Sequence, residues 1–192
     1  MSNSINLINE YLEESLQLAK EQRNLSEIIN EISIEAIKTI ELGGKVIFMG
    51  NGGSASDSLH LSAEIVGKFQ KERMGLPAIS LSSNIAIITA LANDFGYENI
   101  FVKQLEAVAK KNDLIIGITT SGESENIILG LRYAKQNNIK TVGFVGQDSK
   151  KIDDYCDYVL NVPSDKASMI QQAHITLGQL MCLLIEEHFF SS

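Results

Sequence analysis

The sequence predicts an α/β fold in three layers: a five-stranded parallel sheet flanked by helices, with a two-helix extension at the N-terminus. Two observations lead there. Between residues 45 and 163, five short apolar runs rich in β-branched residues alternate with helical segments, the rhythm of a parallel sheet covered on both faces. Before residue 43, apolar residues recur instead at three- and four-residue steps, the period of a helix. With 192 residues, no linker and no internal repeat, the chain reads as one domain, residues 1–42 forming the extension and 43–192 the α/β core.

In the first helix, Ile5, Ile8, Leu12, Leu16 and Ala19 form one stripe. Asn24 with Glu27 fits a capping box opening the second helix. The second stripe, Leu25, Ile28, Ile29, Ile32, Ala36 and Ile40, runs up to Gly43-Gly44, which suit a helix C-terminus. So much aliphatic surface either packs on its own domain or forms a subunit interface. The strands then follow as "KVIFMG" (45–50), "AISLSS" (78–83), "LIIGITT" (114–120), "TVGFVG" (141–146) and "YVLNVP" (158–163). Helices are expected over 54–70, 84–92, 98–111, 124–137 and 149–155, with a long final one over 167–189. The only prolines, Pro77 and Pro163, stand at strand boundaries, where a missing N–H does least harm.

Composition narrows the function classes. The formal charge of −8 gives no footprint for nucleic acid, which needs clustered Lys and Arg. No stretch approaches the ~18 uninterrupted apolar residues of a membrane span. Glu10, Glu13 and Glu14 stand where a signal peptide would be apolar. Cys156 and Cys182 show neither metal-ligand nor redox spacing and favour a reducing compartment, so a cytoplasmic location is expected.

Ligands of an open α/β sheet collect beyond the carboxyl ends of its strands, so the loops there carry the functional reading. After the first strand comes "GNGGSASDSLH". Gly50-x-Gly52-x-x-Ala55 fits a dinucleotide fingerprint, but that motif needs an acidic residue ending the second strand, and "SLSSN" has none. A P-loop sequence is also missing. After the third strand comes "TTSGESEN" (119–126), where Thr119, Thr120, Ser121 and Ser124 supply four hydroxyls around Gly122 at a helix start. Many neutral donors beside free backbone N–H groups suit a phosphate monoester.

His60 and Glu64 lie four apart on the helix that leaves the first loop, hence on one face. They form either a surface ion pair or a functional pair, in which the carboxylate moves a proton or both hold a zinc-like metal. Asn93-Asp94, near a helix end, is either a turn or a pair of hydroxyl-binding groups. On the apolar last helix, Gln171 and Gln179 are eight apart and could border one cavity, while His174 reads as a satisfied structural histidine.

Taken together, "GNGGSASDSLHLSAEIVGKF", "AISLSS", "ANDFGYENIFVKQLEAV", "DLIIGITTSGESENI" and "IQQAHI" cover most of the chain. It resembles the flavodoxin-like sugar isomerase (SIS) family and, within it, the phosphoheptose isomerases. The resemblance implies conversion of sedoheptulose 7-phosphate into D-glycero-D-manno-heptose 7-phosphate, toward ADP-heptose for lipopolysaccharide. It also implies a homotetramer with active sites between subunits, and bound zinc. It assigns Glu64 as general base, and Asn51, Gly52, Gly53, Asn93, Asp94 and Gln171 as substrate contacts. Thr119, Thr120, Ser121 and Ser124 would hold the phosphate, and His60, Glu64 and Gln171 the metal. The family's second catalytic and metal-binding histidine is replaced by Gln179, and an arginine of the last helix by Met169. An amide is a poor zinc ligand and no general acid. A related SIS protein that binds the bacterial replication initiator also lacks that histidine. The alternative implied is therefore a non-catalytic sugar-phosphate-binding protein that regulates a partner.

Overall fold

The five apolar runs pair as one parallel sheet. The computed structural model describes residues 2–147 and 151–191. Its strands are β1 (Val46–Gly50), β2 (Ala78–Ser80), β3 (Leu114–Ile118), β4 (Lys140–Gly146) and β5 (Tyr158–Val162), in the spatial order β2-β1-β3-β4-β5. The helices are α1 (Ser2–Glu21), α2 (Ser26–Glu41), α3 (Gly53–Val66), α4 (Ile85–Phe95), α5 (Ile100–Val108), α6 (Glu125–Gln136) and α7 (Ala167–Phe190).

Every residue of β1 and β3 is buried, which is why these strands read as continuous apolar runs and not as alternating ones. Val46, Phe48, Leu114, Ile116 and Ile118 face a core shared with α2, α3 and α7. Ile47, Met49 and Ile115 face a second core beneath α5 and α6. From β1 the chain crosses to β2 on one side, then returns to β3 on the other. The crevice between β1 and β3 is therefore the switch point of the sheet. Their register pairs Val46 with Leu114 and Gly50 with Ile118, so both strands end level. Among the described residues, no helix is long and apolar enough to cross a membrane.

Several boundaries differ from the sequence expectation. The Asn24–Glu27 capping box does not form. A 3-10 turn over Gln22–Leu25 joins α1 to α2, Leu25 takes the N-cap position without a side-chain bond, and Ser26 donates through both N–H and hydroxyl to the Arg23 carbonyl. The chain thus passes from α1 to α2 through a helical turn and without a side-chain cap. Gly43-Gly44 do end α2, through Gly43 N–H to Ile40 O and Gly44 N–H to Thr39 O. β2 stops at Ser80 because the serines after it turn the chain: Ser83 Oγ donates to Ser80 O, and Ser82 Oγ to Gly50 O, 2.8 Å away. The segment expected as a helix over 149–155 lies partly outside the described residues, and Asp153–Tyr155 form a 3-10 turn.

A buried ion pair ties the loop after α3 to α7. Glu186 accepts from the backbone N–H groups of Phe69, Gln70 and Lys71, and from Arg73 Nε at 2.7 Å. Arg73 in turn caps the end of α3, donating to the carbonyls of Glu64, Ile65 and Gly67. The two side chains are 2% and 0% exposed. Burial alone would raise the Glu186 pKa, but the guanidinium and the three N–H groups outweigh it and hold it at about 2, against an ordinary 4.5. A depressed carboxylate pKa stabilises the fold fully above its unfolded value, and that stability is lost as the pH falls through the folded one. Glu186→Gln is expected to cost about 3–5 kcal/mol by chemical denaturation near pH 7, the usual scale for breaking a buried pair. The gap between wild type and variant should narrow only below about pH 4.5. An equal stability of the two proteins at neutral pH would show that the pair is not a clamp.

Candidate active site

β1 delivers the loop Asn51–Gly53, and β3, beside it and level with it, delivers residues 119–124. The two loops therefore leave the sheet side by side at its switch point. Each opens a helix: α3 starts at Gly53 and α6 at Glu125, and neither N-terminus carries a side-chain cap. In α6 the N-cap position is Ser124, whose hydroxyl lies 3.1 Å from Thr119 Oγ1 instead of bonding the helix. The Thr119 and Ser124 hydroxyls thus meet in front of α6, whose Ile127 N–H is already bonded, and leave the N–H groups of Glu125 and Asn126 to a ligand. Thr119 is buried, Thr120 and Ser124 are half-buried and Ser121 is exposed, a graded wall open to solvent on one side. Ser121 Oγ also accepts from the Glu123 N–H, while Gly146 N–H donates to the Thr120 carbonyl and fastens the loop to β4.

His60 and Glu64 lie on one face of α3, with Nε2 and Oε1 3.0 Å apart and side chains 49% and 21% exposed. Gln171, the fifth residue of α7, reaches the first loop. A Cβ added to Gly53 would lie 2.5 Å from its Nε2, so only glycine lets the amide come this close. Farther along the same pair of helices, Leu61 lies against Gly178, the residue before the half-buried Gln179. Asn93 and Asp94 are not in a turn. They belong to the last turn of α4, which runs on to Phe95 before Gly96 ends it, and Asn93 Nδ2 donates to Asp94 Oδ1 at 2.8 Å. Both are exposed.

His174 is fully buried, its Nε2 3.3 Å from the Val145 carbonyl and its ring beside Phe144. Burial lowers its pKa to about 4, so the ring is neutral near pH 7. Its Nδ1 and the Asp57 Oδ2 are buried without a hydrogen-bond partner among the described residues. The expected satisfied histidine is therefore satisfied at one nitrogen only. Burial raises Asp57, one turn before His60 on α3, to about 6, against the opposing charge of His60.

A sequence profile of the SIS domain matches residues 10–146 of this geometry. The chain belongs to the SIS domain family. Among curated relatives, a phosphoheptose isomerase of Clostridium acetobutylicum is 48% identical over 162 residues, covering 84% of this chain and 81% of the relative. Another, from Helicobacter pylori, is 43% identical and covers 94% of each. Solved phosphoheptose isomerases from Francisella tularensis and Neisseria gonorrhoeae superpose with TM-scores of 0.92 and 0.90, at 34% and 31% identity. They cover 96% and 95% of this chain, and 98% of each of those proteins is matched.

In this SIS domain the donor set does not fit a tightly held zinc ion. Zinc takes thiolate, imidazole and carboxylate ligands, and only His60 and Glu64 are of those kinds. Gln171 and Gln179 offer neutral amides, and no group of three or more His, Cys, Asp or Glu able to hold a metal exists among the described residues. Sequence reasoning missed Asn126 and Tyr97, which both bond Asn51, and Arg73, which bonds the Glu64 carbonyl. Asn126 reads in sequence as one more polar residue of a helix start, and nothing local marks a partner 75 positions away.

Proposed function

We propose that this SIS-domain protein is an aldose–ketose isomerase that converts sedoheptulose 7-phosphate into D-glycero-D-manno-heptose 7-phosphate. The observation that carries the reading is the pair of level loops on adjacent strands. One presents hydroxyls and an uncapped helix N-terminus, and the other launches a helix bearing a half-buried carboxylate. Relatives that are named phosphoheptose isomerase over nearly the whole chain support it.

In this reading Thr119, Thr120, Ser121 and Ser124 hold the phosphate with the dipole of α6 behind them. Asn51, Gly52, Gly53, Asn93, Asp94 and Gln171 hold the sugar. Glu64 takes a proton from C1 of the ketose, the C–H electron pair forms the C1–C2 double bond, and the C2 carbonyl oxygen gains a proton. Return of the proton to C2, with loss of the O1 proton, gives the aldehyde. The Gln179 amide cannot carry the oxygen protons, and His174 is buried and neutral. Asp94 or water moves them. The residues span one SIS domain over 1–192, and the setting is cytoplasmic, in keeping with two free thiols.

Wild-type protein incubated with sedoheptulose 7-phosphate in heavy water should yield aldose product carrying deuterium at C2, read by NMR. Glu64→Gln should lower turnover ~100- to 10,000-fold, the usual range for loss of a general base. Neither product nor exchange in the wild type would leave a sugar-phosphate-binding protein without catalysis, and wild-type turnover in the variant would remove Glu64 from the role.

The assembly in this reading is a homotetramer with active sites between subunits. Ile5, Ile8, Leu12 and Leu16 on α1 are 51–59% exposed in one protomer, a continuous aliphatic stripe that a monomer would leave in water. Light scattering should give about four times the 21.1 kDa of one chain, and a stable monomer at micromolar concentration would contradict it.

Zinc, where present, would rest on His60 and Glu64 with amide oxygens as weak further donors, so occupancy should be low. Gln179→His supplies an imidazole and is expected to raise the zinc content of untagged protein, measured by mass spectrometry. Full occupancy in the wild type, unchanged by the substitution, would refute this.

A further inference from the structure

Asn126 is 3% exposed and stands on the first turn of α6, yet its side chain bonds the other loop. Asn51 Nδ2 donates to Asn126 Oδ1 at 2.8 Å, and Asn126 Nδ2 donates back to Asn51 Oδ1 at 2.9 Å. Tyr97, in the 3-10 turn after α4, adds its hydroxyl to Asn51 Oδ1 at 2.8 Å. Three segments that carry candidate substrate contacts therefore meet at one pair of amides.

The orientation of both amides follows from a single backbone group. The Ile127 N–H can only donate; it is shared between the Ser124 carbonyl and Asn126 Oδ1, each at 3.0 Å, so the atom of Asn126 that faces it is the oxygen. That oxygen also accepts from Asn51, so the facing atom of Asn51 is its nitrogen. Asn51 Oδ1 then accepts twice, from Asn126 and from Tyr97, which uses both lone pairs. One N–H is what remains of Asn51 for a ligand.

We propose that Asn126 and Tyr97 are positioning residues that hold Asn51 as a donor-only group, so that the sugar end of the site selects an oxygen acceptor on the ligand. The inference rests on the sugar-phosphate reading of the site, though not on its turnover. Removing either partner frees an acceptor position on Asn51 Oδ1. Loss of the Asn126 donor also lets the amide rotate, and in either variant an unfilled carbonyl lone pair of Asn51 is offered to the ligand, a repulsive contact for an acceptor-only oxygen such as the C2 carbonyl of the ketose. In that reading the phosphate lies on the 119–124 loop and Asn51 serves the sugar.

The test compares two ligands on the full chain by calorimetry, sedoheptulose 7-phosphate and inorganic phosphate, both on Glu64→Gln protein, whose turnover is slowed. Added to that background, Asn126→Asp keeps the size and the bonds from Ile127 and Asn51, but it cannot donate to Asn51 Oδ1. Tyr97→Phe removes one hydroxyl from an exposed ring and keeps the proposal testable if the Asn126 variant fails to fold. Both should weaken the sugar phosphate about tenfold and inorganic phosphate less than about twofold, the scale of losing a hydrogen bond and gaining a mismatched one. Equal weakening of both ligands would mean that Asn126 merely shapes the phosphate loop two residues away, and unchanged affinities would remove the network from recognition. Either result overturns the proposal. Failure of the isomerase reading would show separately, as absent turnover in Glu64-containing protein with the ligand selectivity intact.

Discussion

The in-register parallel pairing of β1 with β3 is the constraint on which the site depends. Gly50 stands beside Ile118, so the backbones of two different loops emerge at the same height above one crevice. Neither loop is a binding site alone. The first offers glycines and an amide, and the second offers hydroxyls and a helix start. A shift of one residue in this pairing would turn one strand's side chains to the opposite face and stagger the loops. Complete burial of both strands makes such a slip costly, because Phe48 or Ile116 would have to leave one core for the other.

A second layer of order sets where the carboxylate stands. α3 carries Glu64 away from the crevice, and its end is fixed by Arg73, which bonds the Glu64 carbonyl at 2.8 Å while sharing a buried ion pair with Glu186 on α7. α7 lies close along α3, with Gln171 over Gly53 at one end and Gly178 over Leu61 two turns on. Gln171 thus stands over the start of the helix that carries His60 and Glu64. The candidate residues of the two helices are one imidazole, one carboxylate and two amides. Proton transfer at carbon suits such a set better than firm metal binding, because a carboxylate serves as a base by itself whereas zinc needs further charged or soft donors.

Much of this was legible in the residues. The alternation of apolar runs with helical segments gave the sheet, because strands buried on both faces must be apolar throughout. The four hydroxyls of 119–124 stood out because a helix cap needs only one. Legibility failed where geometry joins distant positions. The Asn51–Asn126–Tyr97 network spans 75 residues of sequence and rests on the register of two strands, which no local pattern encodes. The capping box at Asn24 failed for the opposite reason: a local motif was present, but a helical turn carries the chain straight into α2, with the Ser26 N–H on the Arg23 carbonyl. Asn93-Asp94 read as a turn because α4 looked shorter than it is, and the glycine that ends it lies beyond them.

The most direct measurement is a crystal structure of the protein with sedoheptulose 7-phosphate held in the Glu64→Gln variant. The phosphorus should lie in front of α6, with its oxygens within hydrogen-bond reach of the Thr119, Ser121 and Ser124 hydroxyls, and the C1–C2 end of the sugar should face residue 64. A phosphate seated on the Asn51–Gly53 loop or on surface lysines, with the sugar's C1 and C2 away from α3, would contradict it.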